Sequence, residues 1–365
     1  MTQTISDSGA RSLLRRLPLG QNELGLLAAL LVVIVITAGL DSQHSYLRNP
    51  GSNLLDILRQ TGMLGIFSLG AAVVIVSGGI DLSCGSMIAL AGTVLGSIMV
   101  LLAPDEMRSF KPVGGWVIAA AVAGTIAAGF LVGSLHTFLI TRIRIPPFIA
   151  TFGSLVGLRS GARVLIEHVT RRLTHTERGT TQIEVFDPNF RDFTRWQLKI
   201  PLPFSGWPEL AIPVSAIVFV ILAVLTGILM SRTIVGRHLY ALGGNETAAR
   251  LSGLRTDRLK WFVYCFSSVL CSIAALFYIG DQGLAQPEQL ARGYELNAIA
   301  AAVVGGCSLQ GGKGTILGTV LGVLFLRTVL DAVAKIFHVG ADLYEGMIVG
   351  VVVVLAVAVN LLRRT

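Results

Sequence analysis

Ten apolar runs, most of them close to 20 residues long, follow one another along this chain with short polar intervals. They cover about 24–40, 55–77, 86–103, 116–140, 147–165, 211–230, 261–280, 296–310, 314–336 and 343–362. A helix needs about 20 predominantly apolar residues to cross the hydrocarbon core of a bilayer. The pattern predicts an all-α polytopic membrane protein of about ten transmembrane helices. The eighth run is short and ends in glycines, so nine spans plus a re-entrant segment fit as well. Only 14% of the 365 residues are charged, against about 25% in soluble domains. That excludes a disordered chain, a secreted disulfide scaffold and a collagen-like repeat. The first run follows Arg11, Arg15 and Arg16, but it exceeds the apolar core of a signal peptide and lacks a good cleavage site. It reads as a retained span.

The formal net charge of +8 is read through the positive-inside rule, because no basic run with interleaved aromatics points to nucleic acid. With the N-terminus inside, fourteen Lys or Arg residues fall on the inside and eleven outside. Six of the eleven lie in the long loop 166–210, and long loops weigh less in this rule. Both termini are therefore expected in the cytoplasm. The chain divides into a cytoplasmic tail 1–21, a membrane domain 22–362 and a short tail 363–365. Loop 166–210 is too short for an independent domain but has room for a small hairpin or cap. Cys84, Cys265, Cys271 and Cys307 lack CxxC spacing and read as small buried side chains.

Two stretches echo each other. Ser77-Gly78-Gly79-Ile80-Asp81-Leu82-Ser83 precedes Gly92-Thr93-Val94-Leu95-Gly96, and Val304-Gly305-Gly306-Cys307-Ser308-Leu309-Gln310 precedes Gly318-Thr319-Val320-Leu321-Gly322. The GxxxG pairs, with Gly129/Gly133 as a third, let helix backbones approach closely. Polar, glycine-interrupted backbone within a membrane protein is tolerated where it is buried or lines a cavity, and matching breaks in two halves point to a transport path. Gly78, Gly79, Asp81, Ser83, Gly305, Gly306, Ser308 and Gln310 are the candidates for that path. The competing reading is an ordinary tight turn. Asp81 is the sharpest of them, since a carboxylate at membrane depth costs about 2.5–3.5 kcal/mol on insertion scales. Capping the helix that starts near Gly85 is favoured over direct solute contact. Arg327, Asp331 and Lys335, spaced i, i+4, i+8, form a self-neutralising stripe on one helix face.

No cofactor or metal motif is present. The Gly312-Lys313 pair fails the P-loop pattern, because Cys307 stands where a glycine is required and Gly314 where Ser or Thr is required. No HExxH occurs. Gly306-Cys307-Ser308-Leu309 with His136 is the only suggestion of an intramembrane protease, and GxSx is nearly free by chance in this composition. A chain of this kind moves something and leaves any ATP hydrolysis to another subunit.

The most polar inner segment is 231–260. Asn245 is a fair N-cap, Glu246 suits the positive helix end, Arg250 follows at i+4 and Gly253 is a C-cap candidate. A short amphipathic helix over 245–253 is expected. A solvated turn is the alternative.

Four stretches make the chain similar to a known family. They are 77–83, Ile145-Pro146-Pro147-Phe148-Ile149-Ala150-Thr151, the segment Gly243 to Gly253, and 305–314. In this order they resemble the permease subunits of bacterial ABC importers for monosaccharides, the ribose/xylose/galactose permease family, over roughly 50–362. The resemblance implies a permease, paired with a second copy or paralogue in the lipid membrane. It also implies a cytoplasmic ATP-binding subunit and a periplasmic sugar-binding protein. Gly243, Gly244, Asn245, Glu246, Ala249, Arg250 and Gly253 would form the ATPase-coupling segment. Cys84 and Cys307 depart from the family's usual Val and Thr, and loop 166–210 is longer than expected. The alternative reading is a secondary transporter or channel working without an ATPase.

Overall fold

The structure is a computed structural model that describes residues 21–362 apart from 43, 175–178, 205–206 and 338–340. Arg11, Arg15, Arg16, Arg178 and the tail 363–365 lie outside the described residues. Fifteen helices occur among those residues. The principal ones are α1 (Gln21–Leu40), α3 (Pro50–Val76), α4 (Cys84–Leu102), α6 (Gly115–Thr141), α7 (Pro147–Thr174), α9 (Val214–Arg232), α12 (Thr256–Gln282), α13 (Tyr294–Val304), α14 (Ile316–Phe337) and α15 (Ala341–Leu362). Short helices α2 (Ser45–Arg48), α5 (Pro104–Arg108), α8 (Pro188–Arg195), α10 (Ile234–Gly244) and α11 (Glu246–Leu251) fill the intervals. Eight of the principal helices are long and apolar enough to cross a membrane, and shorter apolar stretches lie in α13 and, at Leu343–Val352, in α15.

Helix α3 is the hub. Every residue from Thr61 to Val76 is buried, which is how a helix that is apolar all round must sit. It contacts α9, α12, α13 and α14. By contrast, the most apolar stretches of α1 and α7 are 11% and 22% buried, and Leu31, Val35, Phe152 and Val164 face outward. That outer surface suits lipid contact.

Lipid tails are as apolar as leucine, so small side chains drive the inner contacts. A Cβ on Gly133 would lie 2.5 Å from Cys265 Cα, and one on Gly129 2.8 Å from Ser268 O. The α6–α12 pair is therefore backbone-close and antiparallel. The expected Gly318 and Gly322 face packs on Gly305 and Ala301 of α13 in the same way. Gly92 and Gly96 instead receive side chains, Ile279 and Leu290 at the first and Ile183 at the second.

These contacts assign the helix ends. One end of the bundle carries residues 142–146, 231–255 and 305–315, and Glu23 at the start of α1 accepts from Thr315 Oγ1 at 3.2 Å there. The opposite end carries a cap. Helix α7 runs on to Thr174, so residues 166–174 of the expected loop are helical. Thr170, Arg171 and Arg172 are compatible with a helix that has left an apolar layer. After it, β1 (Ile183–Glu184) pairs antiparallel with β4 (Leu284–Ala285), and β2 (Gln197–Phe204) forms a hairpin with β3 (Trp207–Pro213). Asp187 fastens this cap. Its Oδ1 accepts from Phe190 N at 2.7 Å, capping α8, and its Oδ2 accepts from Val113 N at 2.6 Å. The expected run 211–230 starts later, at Val214, because 211–213 belong to β3.

Candidate functional site

Three turns that are distant in sequence meet at the basic end. The first follows α3, where Gly78 takes φ +85° and its N–H bonds Ile75 O at 2.9 Å. The second joins α10 to α11 at Gly243 and Gly244. The third lies between α13 and α14, where Gly311 and Gly312 have φ of +81° and +70°. Gly312 N donates to Val76 O at 2.8 Å. A Cβ on Gly311 would sit 2.6 Å from Gly243 O and 2.8 Å from Gly78 Cα. One on Gly243 would collide with Val76 O and lie 2.7 Å from Gly312 N. Four glycines thus form one backbone-to-backbone junction. Tyr240 Oη donates to Gly314 O at 2.8 Å beside it, and burial raises the pKa of this phenol, which keeps it a donor.

Of the residues singled out in the sequence, Gly78 and Gly243 belong to this junction. Gly79 packs instead against Tyr264 and Gly305 against Gly318, while Gly244 abuts the junction through its backbone, 2.8 Å from a Cβ built on Gly312, but has open space at its own Cβ position. Gly306, with φ +94°, turns the chain out of α13. Gly311 and Gly312 were not singled out individually. The φ > 0 demand at those positions is invisible until the turn is known. The break also lies at the end of α3 rather than half-way along it. Gly78 is exposed, after a 27-residue helix that is about 40 Å long.

Asp81 is buried (2% exposed). Its Oδ1 accepts from Ser83 N at 2.9 Å and Ser83 Oγ at 2.6 Å, and its Oδ2 accepts from Ser267 Oγ on α12 at 2.9 Å. Three donors hold this carboxylate, so it clasps the α3–α4 turn to α12. The α4 N-cap position belongs to Ser83, which is buried. His136 packs edge-on against Tyr264 with ring centroids 6.2 Å apart. Neither of its ring nitrogens has a hydrogen-bond partner, so it makes no protease-like pair with Ser308. Ser308 lies in the third turn, where its N–H bonds Lys313 O at 3.0 Å, and Gln310 is exposed. Among the described residues no His, Cys, Asp and Glu group could hold a metal.

The segment after the junction carries local signals the residues predicted. Asn245 Oδ1 accepts from Ala248 N at 2.9 Å and so caps α11. Gly253, at φ +85°, ends it, with Leu254 N bonded to Ala249 O at 3.1 Å. The helix proper is Glu246–Leu251, shorter than the expected 245–253. Ala249 faces the body of the protein, while Leu251 is 84% exposed. Glu246 Oε1 accepts from Arg250 at 3.2 Å and from Lys260 Nζ at 2.7 Å. Lys260 was missed as a partner because it joins across a turn rather than along one helix face.

A second discontinuity falls at the eighth apolar run, the one expected to be short. Helix α13 has 11 residues, about half a bilayer crossing, and the irregular stretch 286–293 leads into it. Leu290 and Ala291 are buried. The carbonyls of such buried, irregular backbone need partners from elsewhere. Arg159, half-way along α7, donates to Pro287 O at 2.5 Å and Leu290 O at 3.1 Å. Arg159→Ala is expected to leave these carbonyls unpaired and to expose 286–293 to protease in detergent, with Arg159→Lys intermediate. Unchanged digestion of the alanine variant would contradict the role.

The sequence matches the family described as "Branched-chain amino acid transport system / permease component" over residues 53–357. The chain belongs to this family. The permease is therefore a multi-pass transport subunit and not an enzyme. It is 33% identical to the ribose import permease protein of Escherichia coli K12 over 360 residues, 98% of each chain. It is 32% identical to the Bacillus subtilis ribose import permease protein over 338 residues, 93% of this chain and 92% of that one. The galactose/methyl galactoside import permease protein of Escherichia coli K12 is 28% identical over 340 residues, 93% and 94%. No solved structure matches.

Proposed function

We propose that this chain is the membrane subunit of an ATP-driven importer that carries a monosaccharide or related polyol across the bacterial inner membrane. Although the family description mentions amino acids, the near full-length relatives quoted above are sugar import permeases, and that favours a sugar. The basic end faces the cytoplasm and meets the ATP-binding subunit. A periplasmic sugar-binding protein delivers solute to the opposite end, where Phe193, Trp196 and Leu198 of the cap are exposed. Two such membrane subunits pair.

The observation that carries this reading is the glycine junction. The α10–α11 segment touches both breaks at once, through Gly243 against Gly78 and Gly311. An ATPase that pulls on α11 therefore moves the ends of α3 and α14 without slack, because backbones in contact leave no side chain to absorb the motion. Closure of the nucleotide-binding dimer then switches access from one end of the bundle to the other.

The test lies on the docking surface. Glu246→Lys and Arg250→Glu are each expected to abolish uptake and solute-stimulated ATP hydrolysis, while the chain still inserts. The exposed Glu246–Arg250 pair contributes about 0–1 kcal/mol, so lost function in Arg250→Glu would report lost docking rather than unfolding, and Glu246→Gln, which keeps an acceptor for the largely buried Lys260, controls for the second bond of Glu246. Full transport by either variant would refute the docking role. The purified chain alone is expected to hydrolyse no ATP, and measurable turnover by it would refute the division of labour.

A further inference from the structure

A second polar cluster lies on the far side of the bundle from the glycine junction. A cavity of about 290 Å³ opens between α3, α14 and α15. Its walls carry Asp56 and Gln60 from α3, Arg327 and Asp331 from α14 and Glu345 from α15, with apolar side chains between them. The stripe read from the sequence is one wall of it. Asp331 is neutralised by Lys335 Nζ, 2.6 Å from each carboxylate oxygen, and accepts from Tyr46 Oη at 2.6 Å near the mouth.

The floor lies deep. Arg327 is half-way along α14, its guanidinium carbon 5.8 Å from the centre of the Tyr294 ring. Tyr294 opens the half-length helix α13 and stacks on Phe67 in the buried part of α3, with centroids 6.4 Å apart. The cavity thus descends from the cap end to the level of the discontinuity at 286–293. Solute sites of transporters occupy this depth, beside broken helices.

Arg327 is only partly satisfied by its own protein: the Tyr294 phenol bonds its guanidinium and Glu345 attracts it. Its Nε and Nη2 are buried and have no hydrogen-bond partner. A guanidinium brings five donors, and a buried donor left unpaired is costly. Glu345, on the facing wall, accepts from Asn297 at 3.1 Å through one oxygen. Asp331 is paired with Lys335 and Asp56 with Arg59, while Arg327 faces Glu345, so the walls offer donors and acceptors with little uncompensated charge for an ion of either sign. Donors and acceptors side by side match vicinal hydroxyls, each of which both donates and accepts. The volume of about 290 Å³ lies just below the usual range of ligand sites, about 300–1,000 Å³, and suits one small solute.

We propose that this cavity is a solute subsite of the transport path, in which a neutral polyhydroxylated molecule bonds to Arg327, Glu345 and Gln60 part-way across the bundle. The inference rests on the import reading but stands on different residues. Ala334→Cys places an accessible thiol in the cavity wall, and the four native cysteines are buried. The full-length variant, in cells that also make the transporter's partner subunits, is labelled with a membrane-impermeant maleimide. Millimolar D-ribose, D-xylose or D-galactose is present or absent. At least one sugar is expected to slow labelling threefold or more, sodium acetate is expected not to, and the protection is expected to vanish when Arg327→Gln is added. Val333→Cys is a second reporter should the first fail to insert. A reactive thiol that no sugar protects, or protection that survives Arg327→Gln, would overturn the subsite. Uptake by the unaltered chain, measured in parallel, reports the import reading separately. Sugar uptake with an unprotected thiol removes the subsite alone.

Discussion

Gly243→Ala is expected to abolish sugar uptake, while Gly244→Ala, one residue on, is expected to leave it near the unaltered level. The two glycines look alike in the sequence, and their surroundings separate them. A methyl group at 243 meets Val76 O, Gly312 N and Gly78 N, all of them backbone atoms, whereas a methyl at 244 meets nothing within 4 Å. Forcing a methylene into packed space costs about 1–3 kcal/mol, more when the obstacle cannot change rotamer. The junction opens to accept it, and α10–α11 then moves apart from the ends of α3 and α14. Uptake of labelled sugar, normalised to the inserted amount of each variant, makes the comparison. Normal uptake by Gly243→Ala would show that close backbone contact is not needed.

Asp81→Ala is expected to lower stability steeply, and Asp81→Asn to lower it little. Alanine removes the acceptor of Ser83 N, Ser83 Oγ and Ser267 Oγ at once, leaving Ser267 only a long contact with Cys84 Sγ at 4.0 Å. Each hydrogen bond to a charged acceptor is worth about 1.5–3 kcal/mol, against a total stability of about 5–15 kcal/mol for a typical domain. Asparagine keeps an acceptor for Ser83, and the Ser267 hydroxyl can turn to accept from the amide. The apparent melting midpoint in detergent, followed by size-exclusion chromatography of heated samples, reads the difference. A stable Asp81→Ala chain that inserts but no longer transports would reassign Asp81 from clasp to solute contact.

How much of this was legible depends on the range of the interaction. Span positions follow from apolar run length, and the ends observed fall within a few residues of those expected except at α7 and α13. Helix α7 continues to Thr174 because helix formation does not stop where the apolar layer stops. The eighth run ends at Val304 because Gly305 and Gly306 turn the chain. Local signals were readable for the same reason: the Asn245 cap, the Gly253 stop and the Glu246–Arg250 pair all act within one or two turns. The long-range partners were not. Arg159 looks like an isolated cation in an apolar run until 286–293, more than 120 residues away, supplies its carbonyls. The glycine motifs of 78, 243 and 311 were each visible, and only the fold reveals that they touch. Asp81 carried its cost in the sequence, but Ser267, which helps offset it, is one serine among many.

The division of labour between a passive membrane path and an external motor is tested most directly by reconstitution. Proteoliposomes would hold this chain with or without an ATP-binding subunit, with a sugar-binding protein outside and ATP enclosed. The account predicts that labelled sugar accumulates only when all three proteins and ATP are present, and that a proton or sodium gradient across vesicles of the chain alone drives none. Gradient-driven uptake by the chain alone would contradict it.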